Sequence, residues 1–255
     1  MSRGRQVLAA LALGALVVVT ACGGGSGGSD DLAGKDTTSA PQQPDAAVTT
    51  TTEAAVTGSL VAQAQGPSVQ VYATAAEDQP TVALDNPNEN GAPLVFLVEQ
   101  RQSDWLQVLL PVRPNGSTGW IRAADVNVVS DPYRIDIALS AHKLSLYEGD
   151  TLVSEYPIGV GTAQTPTPGG KYYIKELLQP PNPNGPYGAY AYGLSGFSNV
   201  ITEFNGGDGV IGIHGTNDPS TIGTDVSHGC IRLTNEAITA LVGLLPLGTP
   251  VQIEA

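Results

Sequence analysis

Two stretches decide the architecture of the C-terminal half: Val210-Ile211-Gly212-Ile213-His214-Gly215-Thr216 and, ten residues on, Ser227-His228-Gly229-Cys230-Ile231-Arg232-Leu233. The first is a short apolar run ended by turn residues, the pattern of a buried strand. The second reads as extended chain entering a helix. Residues i and i+2 of an extended chain share a face, so His228 and Cys230 are expected on one side. If the strand ending at His214 pairs beside them, His214 approaches the same thiol. Two of the chain's three histidines thus converge on one cysteine, and His142 reads as a surface residue.

That grouping suits nucleophilic chemistry. A cysteine with an ordinary pKa is only a few per cent thiolate at neutral pH, and an imidazole can take its proton and later deliver it to a leaving amine. Gly229 allows close backbone approach, and the amides of Gly229 and Cys230 are candidate donors to an oxyanion. Other readings compete. Cys230 can be an inert core residue. The three side chains can bind zinc or copper, but only three ligands are visible and no C-x-x-C pair accompanies them, so no metal is expected.

Outward from the pair, Ile238, Leu241, Val242 and Leu245 have helical spacing, with Thr234 or Asn235 as N-cap and Pro246 as the stop, and Val251 to Ile253 is a closing strand. Towards the N-terminus, Ile135, Ile137 and Leu139 alternate, Glu148-Gly149-Asp150 turns the chain, and Tyr156, Ile158 and Val160 alternate again. Gln179 to Asn199 is rich in Pro, Gly and Asn and holds Tyr187, Tyr190, Tyr192 and Phe197. It is expected to be a loop that lids the site. Between Leu60 and about residue 130, several short apolar segments with turn signals predict a small barrel. Residues 23–58 lack aromatics and are rich in Gly, Ser, Thr, Pro and Ala, a composition expected of a tether spanning roughly 30–36 Å. Before it, Arg3 and Arg5 precede an apolar run from Val7 to Ala21 that is short for a membrane span, the pattern of a secretory signal.

Composition narrows the function. Of 255 residues 14% are charged, while Gly 31 and Pro 19 are plentiful, which favours β structure over a helical bundle. The net charge is −13 with only 11 scattered Lys+Arg, so no nucleic acid is expected as a partner. Loss of residues 1–21 removes Arg3 and Arg5 and no acid, taking −13 to −15. If Cys22 is consumed by modification, Cys230 is an unpaired thiol in an exported protein, which calls for a reason.

Three resemblances sharpen these expectations. Ile213-His214-Gly215-Thr216 with Ser227-His228-Gly229-Cys230-Ile231-Arg232-Leu233 is similar to the signature of bacterial L,D-transpeptidase catalytic domains. The likeness extends over residues 133–254 and includes Leu247-Gly248-Thr249-Pro250-Val251. Asn115-Gly116-Ser117-Thr118-Gly119-Trp120-Ile121 resembles a stretch of bacterial SH3-like domains, which serve as wall-binding or spacing modules or as bare packing platforms. Val19-Thr20-Ala21-Cys22 resembles a lipobox, whose cysteine receives lipid after cleavage. The chain is therefore divided into a leader (1–21), a lipid-anchored tether (22–58), an SH3-like β domain (59–130) and a catalytic domain (131–255). The expected fold class is mainly β: a small SH3-like barrel, then a mostly antiparallel β-sandwich with few helices.

The first resemblance implies roles. Cys230 is the nucleophile and His214 the proton donor and acceptor, with the Gly215 backbone holding its imidazole. His228 and Gly229 line the site and support the oxyanion, and Arg232 organises the site or meets a substrate carboxylate. Thr216, Ser227, Tyr190 and Tyr192 are candidate substrate contacts. The implied substrate is a peptidoglycan stem tetrapeptide, joined 3→3 to an amine acceptor without cofactor, and carbapenem β-lactams are implied inhibitors. The implied location is outside the cytoplasm, held to the membrane through Cys22 and facing the wall. The alternatives are hydrolysis by the same scaffold as an L,D-carboxypeptidase, and a non-catalytic lipoprotein that binds the wall. Papain-like wall peptidases place Cys before His, whereas here both nearby histidines precede Cys230.

Overall fold

Alternating apolar and polar side chains build two large sheets and two short two-stranded ribbons in the computed structural model, which describes residues 58–204 and 206–255. The expected leader, the Cys22 anchor and the tether up to residue 57 lie outside the described residues. Seven strands come first: β1 (Ser59–Ala64), β2 (Ser68–Val71), β3 (Val82–Asp85), β4 (Val95–Gln102), β5 (Trp105–Leu109), β6 (Thr118–Arg122) and β7 (Val126–Asp131). Five of them form an antiparallel sheet in the order β6-β5-β4-β1-β7. β2 and β3 pair as a separate antiparallel ribbon, joined to β6 through a Tyr72–Trp120 bridge. Inward residues of these strands, among them Val69, Phe96, Leu106 and Ile121, make a core of their own.

The rest of the chain adds β8 (Tyr133–Ala138), β9 (Lys143–Glu148), β10 (Thr151–Pro157), β11 (Val160–Gly161), β12 (Gly170–Leu178), β13 (Ala191–Phe197), β14 (Val210–His214), β15 (Asp225–Ser227), β16 (Ile231–Arg232), α1 (Asn235–Val242) and β17 (Pro250–Glu254). Eight of these strands make one continuous sheet, β10-β9-β8-β17-β12-β13-β14-β16. Strands from both ends of it, with Ile238 and Leu241 of α1, face one apolar cluster. A single sheet whose ends share a core must curl, and the curl supplies the two layers expected of a sandwich. The C-terminal strand lies mid-sheet, antiparallel to β12 and parallel to β8, with Val251 opposite Ile135. The two parts meet through Val61, Val95, Leu97 and Leu109 packed with Tyr173, and the Thr249 hydroxyl donates to Asp131 Oδ2 at 2.7 Å.

Two expectations need correction. Residues 179–199 are not one loop, because their last third is β13, in the sheet interior. Its glycines are the reason: a Cβ at Gly193 would lie 2.4 Å from Glu176 Oε1, and one at Gly196 would lie 2.3 Å from Tyr172 Cε1. Glycine here admits neighbouring side chains across a strand; it does not mark a turn. The helix is capped by Thr234 as expected, its Oγ1 accepting from the Ala237 amide at 3.2 Å, but it ends at Val242 with Gly243 as C-cap, before Pro246.

Candidate active site

β14 and β16 pair in parallel, Ile213 against Ile231 and His214 against Arg232. Partners across a parallel pair share a face, and side chains alternate along each strand. Ile213 and Ile231 therefore enter the core, while Gly212, His214 and Arg232 take the opposite face, and Cys230 follows one step before β16. Gly212 lies beside the thiol: a Cβ built there would stand 3.9 Å from Cys230 Sγ. His214 and Cys230 border one cavity of about 720 Å³, with Tyr187, Glu176 and Phe204 among its other walls.

The imidazole is held in one tautomer. A carbonyl oxygen only accepts, so His214 Nδ1 carries the proton that it donates to Gly215 O at 2.6 Å, and Nε2 remains a proton acceptor. His214 is 4% exposed, and this burial is the main force lowering its pKa to about 4. The Gly215 bond partly opposes that shift and the Arg232 guanidinium adds to it. The Tyr187 ring meets the imidazole edge-on, with centroids 5.0 Å apart. Behind the histidine, the Gly215 amide donates to Tyr190 O at 3.1 Å and the Ala189 amide donates to Asn235 Oδ1 at 3.1 Å, strapping the 185–190 loop to α1. Cys230 is half-buried, and burial pushes its thiol pKa up against the opposing pull of the Gly212 amide and Arg232. Between about pH 4 and the ordinary thiol range the resting pair is therefore neutral imidazole and thiol, ready for transfer of a proton in the attacking step.

The chain around Cys230 departs from a simple strand. β15 stops at Ser227, and Gly229 adopts φ +113, a value L residues rarely reach. His228, one step before this break, is exposed and does not itself line the cavity; its ring lies tilted against Phe204 of the cavity wall, with centroids 5.8 Å apart. Neither Ser227 nor Thr216 lines the cavity that holds Cys230. Thr216 is buried and its hydroxyl accepts from the Asp218 amide. Ser227 Oγ donates to Cys230 O at 2.5 Å and accepts from the Gly229 amide at 3.0 Å, while its carbonyl accepts from Thr162 N and Thr165 Oγ1. The Gly229 amide is thus spent on Ser227, and none of the described acceptors takes the Cys230 amide. Arg232 exchanges both backbone hydrogen bonds with Gly159, and its buried Nε has no partner among the described residues. Ser227→Ala leaves the Gly229 donor and a Cys230 acceptor bond unmade. A loss of about 1–3 kcal/mol is expected, read by denaturant unfolding, together with slower alkylation of Cys230.

The two expected tyrosines differ. Tyr192 borders the cavity, yet it is 1% exposed, belongs to the core cluster and donates its hydroxyl to Leu245 O at 3.4 Å, while Tyr190 packs against the same cluster and does not border the cavity. Tyr187, not singled out as a contact, is the loop tyrosine that meets His214. Sequence reasoning also missed Glu176, 2% exposed at the cavity wall, whose Oε2 accepts from Asn88 Nδ2 and Asn90 Nδ2 at 2.9 Å each. The available signal was a carboxylate in register after Tyr172 and Ile174, where an apolar residue belongs. Among the described residues no group of three His, Cys, Asp or Glu side chains is arranged to hold a metal.

Residues 132–253 match the family model described as YkuD, L,D-transpeptidase catalytic domain. A Bacillus licheniformis protein named as an L,D-transpeptidase, YkuD, is 40% identical over 154 residues, 58% of this chain and 85% of the relative. Its Bacillus subtilis namesake is 39% identical over 122 residues, 48% of this chain and 66% of the relative. Among solved structures, an L,D-transpeptidase from Mycobacterium smegmatis is 14% identical with a TM-score of 0.41, covering 73% of this chain and 99% of that one.

Proposed function

The chain belongs to the L,D-transpeptidase family, and on that premise we propose that Cys230 is the acylated nucleophile of a 3→3 cross-linking reaction on peptidoglycan stem peptides. Sγ attacks the carbonyl of the third residue of a tetrapeptide while its proton passes to His214 Nε2. The oxyanion is held by the Cys230 amide. Collapse breaks the bond to the terminal D-Ala, whose nitrogen takes the proton from Nε2, leaving a thioester. An acceptor amine then attacks, gives its proton to His214, and regenerates the thiol as the new amide forms. The observation that carries this reading is the parallel β14–β16 pairing, which sets His214 and Cys230 on one face beside one cavity.

Ser227 acts here as a positioning residue for the nucleophile, and Arg232 as a fixed positive charge near the pair. Carbapenems, as strained acyl donors, acylate the same sulfur. Cys22 carries a lipid that tethers the catalytic part outside the cytoplasm and facing the wall, and residues 59–130 form an SH3-like module. With a disaccharide-tetrapeptide, the purified protein is expected to yield a cross-linked dimer with loss of one D-Ala, seen by mass spectrometry. Free tripeptide alone would replace transpeptidation by hydrolysis; no product from either route, with wild-type protein shown to be folded, would remove the reading.

A further inference from the structure

In the connection between β13 and β14, Phe204 and residues 206–209 form one wall of the Cys230 cavity. Phe204 is an exposed aromatic, 42% accessible, held in a tight turn by reciprocal backbone bonds with Gly207. Little apolar burial holds such a segment in place. Its ends are bonded to each other, the Ser198 amide donating to Gly209 O at 2.8 Å, and Ser198 Oγ accepts from the Val200 and Ile201 amides, while further ties come from the other sheet. Arg113, in the β5–β6 connection, donates from Nη1 to Ser198 O at 2.8 Å and from Nη2 to Asp208 O at 2.8 Å and Ile201 O at 3.3 Å. One guanidinium thus ties together the two ends of the connection, and it also lies 4.8 Å above the Phe197 ring. Asn115 reinforces the root: its Nδ2 donates to Phe197 O at 2.8 Å and its Oδ1 accepts from Phe197 N at 2.9 Å.

A second tie follows the same logic on the neighbouring wall. The β3–β4 connection supplies Glu89 and Asn90 to the cavity, and Asn88 and Asn90 both donate to buried Glu176. An independent spacing or wall-binding module has no need to supply walls of a cavity built on the other sheet. Resting on the transpeptidase reading above, we propose that the N-terminal sheet is a working part of the active site, and that Arg113 is the positioning residue that closes the β13–β14 connection over the stem peptide bound at Cys230. A planar fork with donors on several nitrogens suits three carbonyls at fixed positions, which an ammonium cannot reproduce.

The test uses the full chain and three readouts. In Arg113→Ala, kcat/KM for the tetrapeptide is expected to fall about tenfold or more, chiefly through KM, because the wall that positions substrate is loosened. Alkylation of Cys230 by iodoacetamide, which needs no such wall, is expected to change by less than about twofold. Amide exchange in residues 198–209 is expected to quicken. Arg113→Lys keeps the charge and is expected to recover only a small part of the loss. Unchanged tetrapeptide kinetics in a folded Arg113→Ala protein overturn the proposal, as does a parallel fall of turnover and alkylation in both variants, which would mean general disruption. If the wild type turns over no stem peptide, the transpeptidase reading fails by itself, and exchange still decides the clamp: unchanged exchange at 198–209 in Arg113→Ala would refute it.

Discussion

Cys230→Ala is expected to abolish release of D-Ala from tetrapeptide stems and every carbapenem adduct, with the fold intact. Removal of a nucleophile from an acyl-transfer site typically costs about four to six orders of magnitude in kcat, since no other group in the site forms the acyl intermediate. The loss is local for a physical reason. Cys230 is half-buried at a cavity edge, and the bonds that shape its turn run through its carbonyl to Ser227, which alanine retains. Stability is therefore expected to shift by less than about 1 kcal/mol, checked by thermal unfolding beside the muropeptide assay. Turnover that persists in Cys230→Ala would reject this sulfur as the nucleophile whatever the fold.

His214→Gln is expected to lower kcat/KM for the tetrapeptide by about 10²–10⁴, the usual contribution of a positioned general acid–base. Its pH behaviour separates proton transfer from mere packing. With the imidazole pKa lowered to about 4 by burial and the thiol pushed up, the competent neutral pair spans the whole neutral range. Wild-type kcat/KM is thus expected to be level across neutral pH and to fall on the acid side only near pH 4. An acid limb at pH 6.5–7 would show an imidazole titrating as it does in water and sink this assignment. Stability carries the same signature. The folded pKa of His214 is depressed, so between pH 6.5 and 4 the unfolded chain binds more protons. The contribution of a neutral buried imidazole is complete above pH 6.5 and is lost as pH falls through that window. Relative to His214→Gln, the wild type is expected to lose of order 3 kcal/mol across it, measured by denaturant unfolding at each pH.

Legibility followed the range of the interaction. Ile135/Ile137/Leu139 and the Glu148-Gly149-Asp150 turn announced β8 to β10 because strand alternation and hairpin turns are local. The His214 and Cys230 pair was equally plain, because one apolar run ending in histidine and a second extended segment need only one pairing to meet. β13 was hidden because Gly193 and Gly196 look like turn residues until Glu176 and Tyr172 are seen lying across them. The place of His228 could not be read from alternation, which presumes continuous extended chain, because Gly229 breaks it with a positive φ. Tyr187 became the histidine's neighbour, and Tyr192 a core residue, only once β13 had been placed beside β14.

The residue types themselves, a thiol and an imidazole on paired strands with a guanidinium two places on, already determine what chemistry is available. Their protonation states do not follow from type or spacing. They come from desolvation by side chains far away in the chain, which raises the cost of charge at both His214 and Cys230. The cavity walls are the other product of tertiary structure. Arg113 reaches carbonyls 85 to 95 positions away, and Asn88 and Asn90 reach Glu176 across 88 and 86. No periodicity along a chain encodes contacts at such separation; they exist because two sheets share one apolar junction and bring their connecting segments together over the same sulfur.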